Sequence, residues 1–233
     1  MLAVTGTANP PRAGAADDEA DLRAVDGRVP GRRGMATRRR LLDRTSAMLT
    51  TTSYRDLKVV DIAREAGTSP ATFYQYFPDV EAAILVLAED MAREGSEQLI
   101  GLVREGSWSG DAAYGTALAV ADGFIDVWDR HHSVLRVVDL ATGEGDGRFQ
   151  SIRTRLLNEV TVALREVIDE QQGRARSGDV DPMATAGVLS AMLAHVSAHR
   201  YGFEFWGIRT RDIRTAMARI LFTTVTGELP PGS

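Results

Sequence analysis

The sequence predicts an all-α protein with a small head of three helices and a larger helical body. Two observations carry this. Apolar residues recur at three- and four-residue spacing through nearly every segment after residue 36, the period of a helix face. No segment shows the alternation expected of a half-buried strand. Helix punctuation adds a third: Ser69-Pro70 and Pro182 open segments, and Gly67 closes one.

Residues 1–34 are rich in Gly, Pro, Ala and Asp and read as a disordered tail. Met35 stands just before the first helix and is a second candidate start. From Thr37, Leu41, Leu42, Thr45, Met48 and Leu49 form one stripe, broken at Thr51, Thr52 and Ser53. A short helix over 59–66 buries Val59, Ile62, Ala63 and Ala66, and Gly67 ends it. Ser69 caps a third helix with Pro70 at its first position, where a missing N–H costs nothing. Pro78 stops that helix and Asp79 caps a fourth, over 79–104, with Ile84, Leu87, Ala88 and Met91 inward. After a break at 106–110, Tyr114, Ala117, Leu118, Ala121, Phe124, Ile125 and Trp128 mark another helix. A separate short helix is expected near 132–141, then a glycine-rich turn at 143–147 and a helix over 148–172. Residues 177–181 read as a loop, and the last two helices span 182–206 and 210–226. The expected division is a tail at 1–34, a head at 35–78 and a body at 79–233.

Composition narrows the function. At 44% hydrophobic and 25% charged, the 233-residue chain is ordinary for a soluble globular protein. No cysteine is present, which excludes disulfides, thiolate metal sites and cysteine nucleophiles. Arg12, Arg23 and Arg28 mix with Asp17, Asp18, Glu19 and Asp21 without an apolar run, so a cytoplasmic location is expected. The net charge of −5 is unevenly spread. Residues 32–77 hold nine basic and four acidic side chains, whereas residues 78–233 hold 15 and 23. A basic segment on an acidic body suits a nucleic-acid reader, although solvated arginine faces occur without one.

The helix at 59–66, the turn at 67–69 and the helix at 70–77 make a helix-turn-helix. Gly67 tolerates positive φ, and Ala63, Ala66 and Ala71 let the helices cross closely. The stretch AGTSPATFYQYF, 66–77, then sorts its four rings: Phe73 and Phe77, four apart, face inward, while Tyr74 and Tyr76 point elsewhere. A tyrosine offers a hydroxyl to phosphate or a ring face to a thymine methyl, and Thr72 and Gln75 suit base edges.

Asp61-Ile62-Ala63, Ala66-Gly67-Thr68-Ser69 and Thr72-Phe73-Tyr74-Gln75-Tyr76-Phe77 together resemble the DNA-binding signature of TetR-family transcriptional regulators, over about residues 36–90. The resemblance implies a homodimer with a three-helix reading head, a linking fourth helix and a divergent domain that binds a small molecule and pairs with its copy. It implies a repressor of a near-palindromic double-stranded DNA operator, released by a small hydrophobic effector, with no enzymatic activity and no cofactor. Carried over by position, Thr72, Tyr74, Gln75 and Tyr76 would face DNA, with Thr68 and Ser69 near the backbone. Lys58, Pro70 and Val80 depart from the family pattern; the last two remove phosphate contacts. Arg38, Arg39 and Arg40, with Arg32 and Arg33 in a flexible arm, would compensate.

In the body, Met91, Phe124, Trp128, Phe149 and Met192 are large residues on inward faces, and His195 lies beside them; these are the candidate effector wall. Ordinary core is the competing reading for each singly. His195 and His199, at i and i+4, share a helix face, but Val196 stands where a zinc-hydrolase helix carries glutamate, and no third ligand sits near. A metal site is therefore not expected. The dimer face is expected on the last two helices, with Ile213, Met217, Ile220, Leu221 and Thr224 on one and Leu189, Met192, Leu193 and Val196 on the other. The rival reading is a small-molecule-binding or enzymatic helical protein whose helix-turn-helix only packs.

Overall fold

The computed structural model of the chain describes Val25, residues 30–175 and residues 181–231. Most of the expected tail at 1–34 and of the loop at 177–181 lies outside these residues. Among the described residues every regular element is helical: α1 (Arg32–Leu49), α2 (Val59–Glu65), α3 (Pro70–Tyr76), α4 (Val80–Glu105), α5 (Ala113–Gly143), α6 (Gly147–Ala175), α7 (Pro182–Phe205) and α8 (Thr210–Thr226), with a 3₁₀ turn at Gly110–Ala112. The chain divides into two compact units, Met1–Val86 and Leu87–Ser233, within α4.

In the first unit α2 and α3 are seven residues each, too short to hold their shape alone. Burial supplies what propensity cannot. Leu41 and Leu42 of α1, Ile62 and Ala63 of α2, and Phe73 and Phe77 of and after α3 are all buried. The two phenylalanine rings lie 5.4 Å apart. A fully buried phenylalanine contributes roughly 2–3 kcal/mol, enough to make Phe73 the anchor of its helix. The first helix begins earlier than its apolar stripe suggests. Arg32 and Arg33, expected in a flexible arm, form its first turn, preceded by Gly31 in an extended conformation. Gly34 explains the tight start: a Cβ there would come within 2.8 Å of the Pro30 ring and 3.1 Å of the Tyr76 hydroxyl.

The second unit is built around α5, which packs against α6, α7 and α8. A second correction concerns this helix. The separate helix expected near 132–141 is the continuation of α5, which runs unbroken over 31 residues. The polar run His131-His132-Ser133 suggests a boundary, but Ser133 is buried and His131 half-buried against α4, so the helix continues through them. Small residues set the close approach of α4 and α5: a Cβ on Gly123 would stand 2.4 Å from Leu102 Cδ1. Asp79 caps its helix as the sequence leads one to expect, and two further ends carry capping residues. Asp79 accepts from the Ala82 N–H at 2.7 Å, Asp181 from Ala184 at 2.6 Å, and Gly227 closes α8 with φ +73°. Before α6, hydrogen bonds from Arg148 hold the Asp146 carboxyl down to about 2.

The three indoles are unequally wetted. Trp108 is buried and donates Nε1–H to the Val103 carbonyl at 2.8 Å; Trp128 is buried; Trp206, in the turn after α7, is 79% exposed. That turn also bares Phe205 and Ile208.

This packing makes two stability predictions. Gly67 holds φ +66°, so Gly67→Ala should cost about 1–2 kcal/mol in urea unfolding, through the left-handed backbone alone. Burial lowers the pKa of His131, Glu94 opposes the shift and Arg130 adds to it. The unfolded imidazole takes its proton near pH 6.5. Stability should therefore be full above that pH and fall as pH drops from there through the lower folded value, because the unfolded state binds more protons in that window. His131→Gln should flatten that part of the stability profile measured by thermal unfolding.

Candidate nucleic-acid interface and effector cavity

The turn between α2 and α3 is closed by two backbone bonds. Gly67 N–H donates to the Arg64 carbonyl at 3.0 Å and Thr68 N–H to Ala63 at 2.9 Å, the paired pattern of a Schellman ending. Gly67 takes the left-handed residue that this ending requires. Ser69 then caps α3: its Oγ accepts from Thr72 N–H at 3.2 Å and lies 3.0 Å from Thr72 Oγ1. Lys58, at the corresponding position before α2, makes no side-chain cap and is left exposed.

With Phe73 and Phe77 inside, the other side chains of α3 are sorted by geometry. Tyr74 is 52% exposed and Gln75 is exposed; Thr72 and Tyr76 are half-buried. Tyr74 meets the edge of Phe73 at 6.0 Å between centroids, so its ring is braced while one face stays open. The Tyr76 hydroxyl lies beside Gly34 of α1. Thr68 is half-buried in the turn and Ser69 exposed.

The three consecutive arginines of α1 have different environments. Arg38 is only 7% exposed, and its guanidinium stands 5.2 Å over the Phe77 ring. It is therefore part of the head's packing, not an open hook like its neighbours. Arg39 is exposed and pairs with Asp43 at 3.0 Å, a bond worth little in water and easily exchanged. Arg40 is exposed and donates to Thr37 Oγ1 at 3.3 Å. Arg32 and Arg33 are exposed in the first turn of α1, where no acidic residue offsets the positive end of the helix dipole.

In the second unit, α4, α5, α6 and α7 border a half-open cavity of about 60 Å³. Phe124, Trp128 and His195 line it together with Leu99, Leu135, Leu156 and Ser197. Met91 and Phe149, expected on the same wall, are buried elsewhere in the packing, and Met192 packs on the hydrophobic core. They fill interior space without reaching the cavity. Asp139 and Arg153 also line it, paired at 2.9 Å and each partly exposed. Two polar atoms, Trp128 Nε1 and Ser197 Oγ, are buried with no hydrogen-bond partner. Next to them Arg200 is buried: it donates to the Ser197 carbonyl at 2.9 Å and is ion-paired with Asp129. Neither that pair nor Ser197 is marked in the sequence, because Asp129 and Arg200 stand 71 residues apart.

His195 and His199 stack ring on ring at 4.1 Å, and His199 Nδ1 lies 3.0 Å from the His195 carbonyl. Among the described residues no group of three or more His, Asp or Glu is placed to hold a metal. No helix among them is long and apolar enough to cross a membrane.

The residues expected at the dimer face need correction. Ile213, Met217 and Leu221 of α8 and Leu189 and Leu193 of α7 are buried in the protomer's own core, and Met192 and Val196 pack partly against it. The exposed large apolar residues along these helices are instead Met183 and Val188 on α7 and Ile220 on α8, with Val188 69% exposed. Of the expected set only Ile220 and Thr224 are exposed.

Comparison with known proteins places these features. Residues 99–232, more than half of the chain, match the family model of tetracyclin repressor-like C-terminal domains. Residues 41–82 match the model of bacterial regulatory proteins of the tetR family. The HTH-type transcriptional regulator EthR of Mycolicibacterium smegmatis is 22% identical over 200 residues, covering 85% of this chain and 87% of its own. A tetR-family transcriptional regulator from Streptomyces coelicolor superposes with TM-score 0.62 at 13% identity, covering 82% of each chain. The transcriptional regulator FadR from Bacillus subtilis, solved with stearoyl-CoA, superposes with TM-score 0.60 at 14% identity, covering 82% of this chain and 98% of its own. Helix-turn-helix, all-helical body and both family matches agree: the chain belongs to the TetR family of bacterial transcriptional regulators.

Proposed function

We propose that the protein is a ligand-released repressor that reads a near-palindromic operator as a homodimer. The observation that carries this reading is α3. It is a capped helix with two rings buried and Tyr74, Gln75 and the Thr72 edge turned outward. On this reading residues 35–78 form the DNA-binding head and residues 79–233 the ligand-binding and dimerisation body. Tyr74, Gln75, Thr72 and the half-buried Tyr76 meet bases and backbone in the major groove. Ser69, Thr68 and Lys58 lie along the phosphates. Arg39, Arg40, Arg32 and Arg33 supply non-specific attraction, and a phosphate near the first turn of α1 would relieve the arginines that crowd its positive end. Arg38 acts indirectly, by holding Phe77.

The exposed faces of α7 and α8 that carry Val188 and Ile220 would meet their copies, forming a four-helix interface. A two-fold pair sets its recognition helices about one DNA turn apart, roughly 34–36 Å. A ligand bound more tightly by protomers with another spacing lowers DNA affinity by linkage. The cavity, with its apolar wall and the residues Trp128, Ser197 and His195 in its lining, supports a small hydrophobic effector with a polar handle; the stearoyl-CoA of the Bacillus subtilis relative is one hydrophobic precedent.

Selection of bound fragments from random duplexes, followed by titration over a salt series, tests the reading. Tyr74→Ala should leave the head folded, at a cost of about 1 kcal/mol for the lost edge contact with Phe73, and narrow discrimination between the selected site and a mismatched one by roughly 1–3 kcal/mol. Combined Arg39→Ala and Arg40→Ala should weaken all sequences alike and shallow the salt slope by about 0.9 for each phosphate no longer neutralised. Absence of any enriched sequence at modest ionic strength would overturn the proposal. Val188→Glu should shift the protein toward monomer in sedimentation and weaken operator binding with it; a monomeric parent protein would contradict the pairing.

A further inference from the structure

The chain before α1 comes back against the reading helix. Val25 N–H donates to the Gln75 carbonyl at 2.9 Å. Gln75 stands in the last turn of α3, where carbonyls lack an intrahelical donor, and Pro78, three residues on, has no N–H to give. The bond therefore meets a standing requirement of this helix end. The Val25 side chain is exposed, so the contact is made by the backbone alone. It also fixes where the residues before Val25 set out: from a position on α3 whose side chain, like that of Tyr74, is exposed.

Those residues, which lie outside the described ones, are acidic. Asp17, Asp18, Glu19 and Asp21 fill four of five consecutive positions, and from residue 17 to residue 28 five acidic side chains stand against Arg23 and Arg28. The head has the opposite balance, nine basic side chains against four acidic over residues 32–77. Of the nine, Arg32, Arg33, Arg39, Arg40 and Lys58 are among the exposed ones. Reach is sufficient. At about 3.3–3.6 Å per extended residue, Asp21 lies within roughly 14 Å of Val25 and Asp17 within roughly 28 Å. The seven residues of α3 span only about 10 Å. So short a tether holds the acidic run at an effective concentration on the order of millimolar, and weak contacts suffice for docking. Carboxylates and DNA phosphates then compete for the same cations.

We propose that residues 17–21 dock on the exposed face of α3 and the basic side chains of the head as an internal acidic competitor, which an operator must displace. This rests on the reading of α3 as the DNA-contacting helix. A docked population of about two-thirds lowers the apparent affinity for any duplex about threefold. Salt loosens the tail as well as the DNA, so the parent chain loses affinity with salt less steeply than a chain whose tail is neutral.

The test uses the full-length chain in two arms. The first needs no DNA. The combined variant Asp17→Asn, Asp18→Asn, Glu19→Gln and Asp21→Asn should shift the amide NMR signals of Tyr74 and Gln75 relative to the parent, and high salt should move the parent's signals the same way. In the second arm, gel shifts with the selected operator and with a random duplex should show the neutral-tail variant binding both about threefold tighter, with a steeper salt slope. Val25→Pro, which removes the donor without altering charge, should also tighten binding, whereas Val25→Ala, which keeps the N–H, should not. Signals of α3 that do not respond to the neutral tail overturn the proposal, as does unchanged affinity in Val25→Pro. Weaker DNA binding by the neutral-tail variant also overturns it. Shifted α3 signals in a protein that enriches no sequence would sink the repressor and leave the docked tail standing. A selected operator bound equally by parent and neutral-tail variant would do the reverse.

Discussion

The burial of Phe73 and Phe77 is the constraint on which the reading head depends. A seven-residue helix has too few internal bonds to outweigh its nucleation cost, so α3 exists because its rings are buried in a head whose core also holds Leu41, Leu42 and Ile62. Once two positions four apart are committed inward, helical geometry leaves no freedom for the rest. Tyr74 and Gln75 must face out, and Tyr76 must lie across the start of α1. The same rings explain Arg38, whose guanidinium covers Phe77 and so gives up its place on the charged surface. Reading surface and core are therefore one choice made at two residues.

The body follows a different logic. Its centre is α5, unbroken through a polar run and packed closely on α4 at Gly123. Tight packing of this kind leaves few voids, and those that remain are informative. The cavity beside Trp128 is lined by groups that an ordinary core would have paired or replaced with carbon. Around it the charged residues are satisfied among themselves, Asp139 with Arg153 and Asp129 with Arg200.

Local signals were the legible part of the sequence. Gly67, Ser69, Pro70 and Asp79 mark helix ends through chemistry confined to a few neighbouring residues, and each does in the structure what its type implies. The inward pair Phe73 and Phe77 was readable for the same reason, from spacing alone. What could not be read depends on contacts between distant segments. Nothing in Arg38-Arg39-Arg40 says that the first of them reaches the ring of Phe77, on the far side of the helix-turn-helix. Both α7 and α8 carry apolar residues on two faces, so periodicity could identify the stripes but not which one the protomer keeps, and Leu189, Leu193 and Met217 went inside. Met91 and Phe149 were inward as expected, but inward is not the same as cavity-lining. His131-His132 reads as a boundary because the burial of His131 against α4 and of the following Ser133 is invisible in one dimension.

The unequal wetting of the three indoles gives the molecule an optical asymmetry of its own. Trp206 stands in water and should emit at longer wavelength and be quenched by iodide, while Trp108 and Trp128 should emit at shorter wavelength, shielded from the quencher. Of the shielded pair, Trp108 has a fixed carbonyl partner and Trp128 does not. A spectral change confined to the iodide-resistant component therefore comes from the two buried indoles and not from Trp206, without any label.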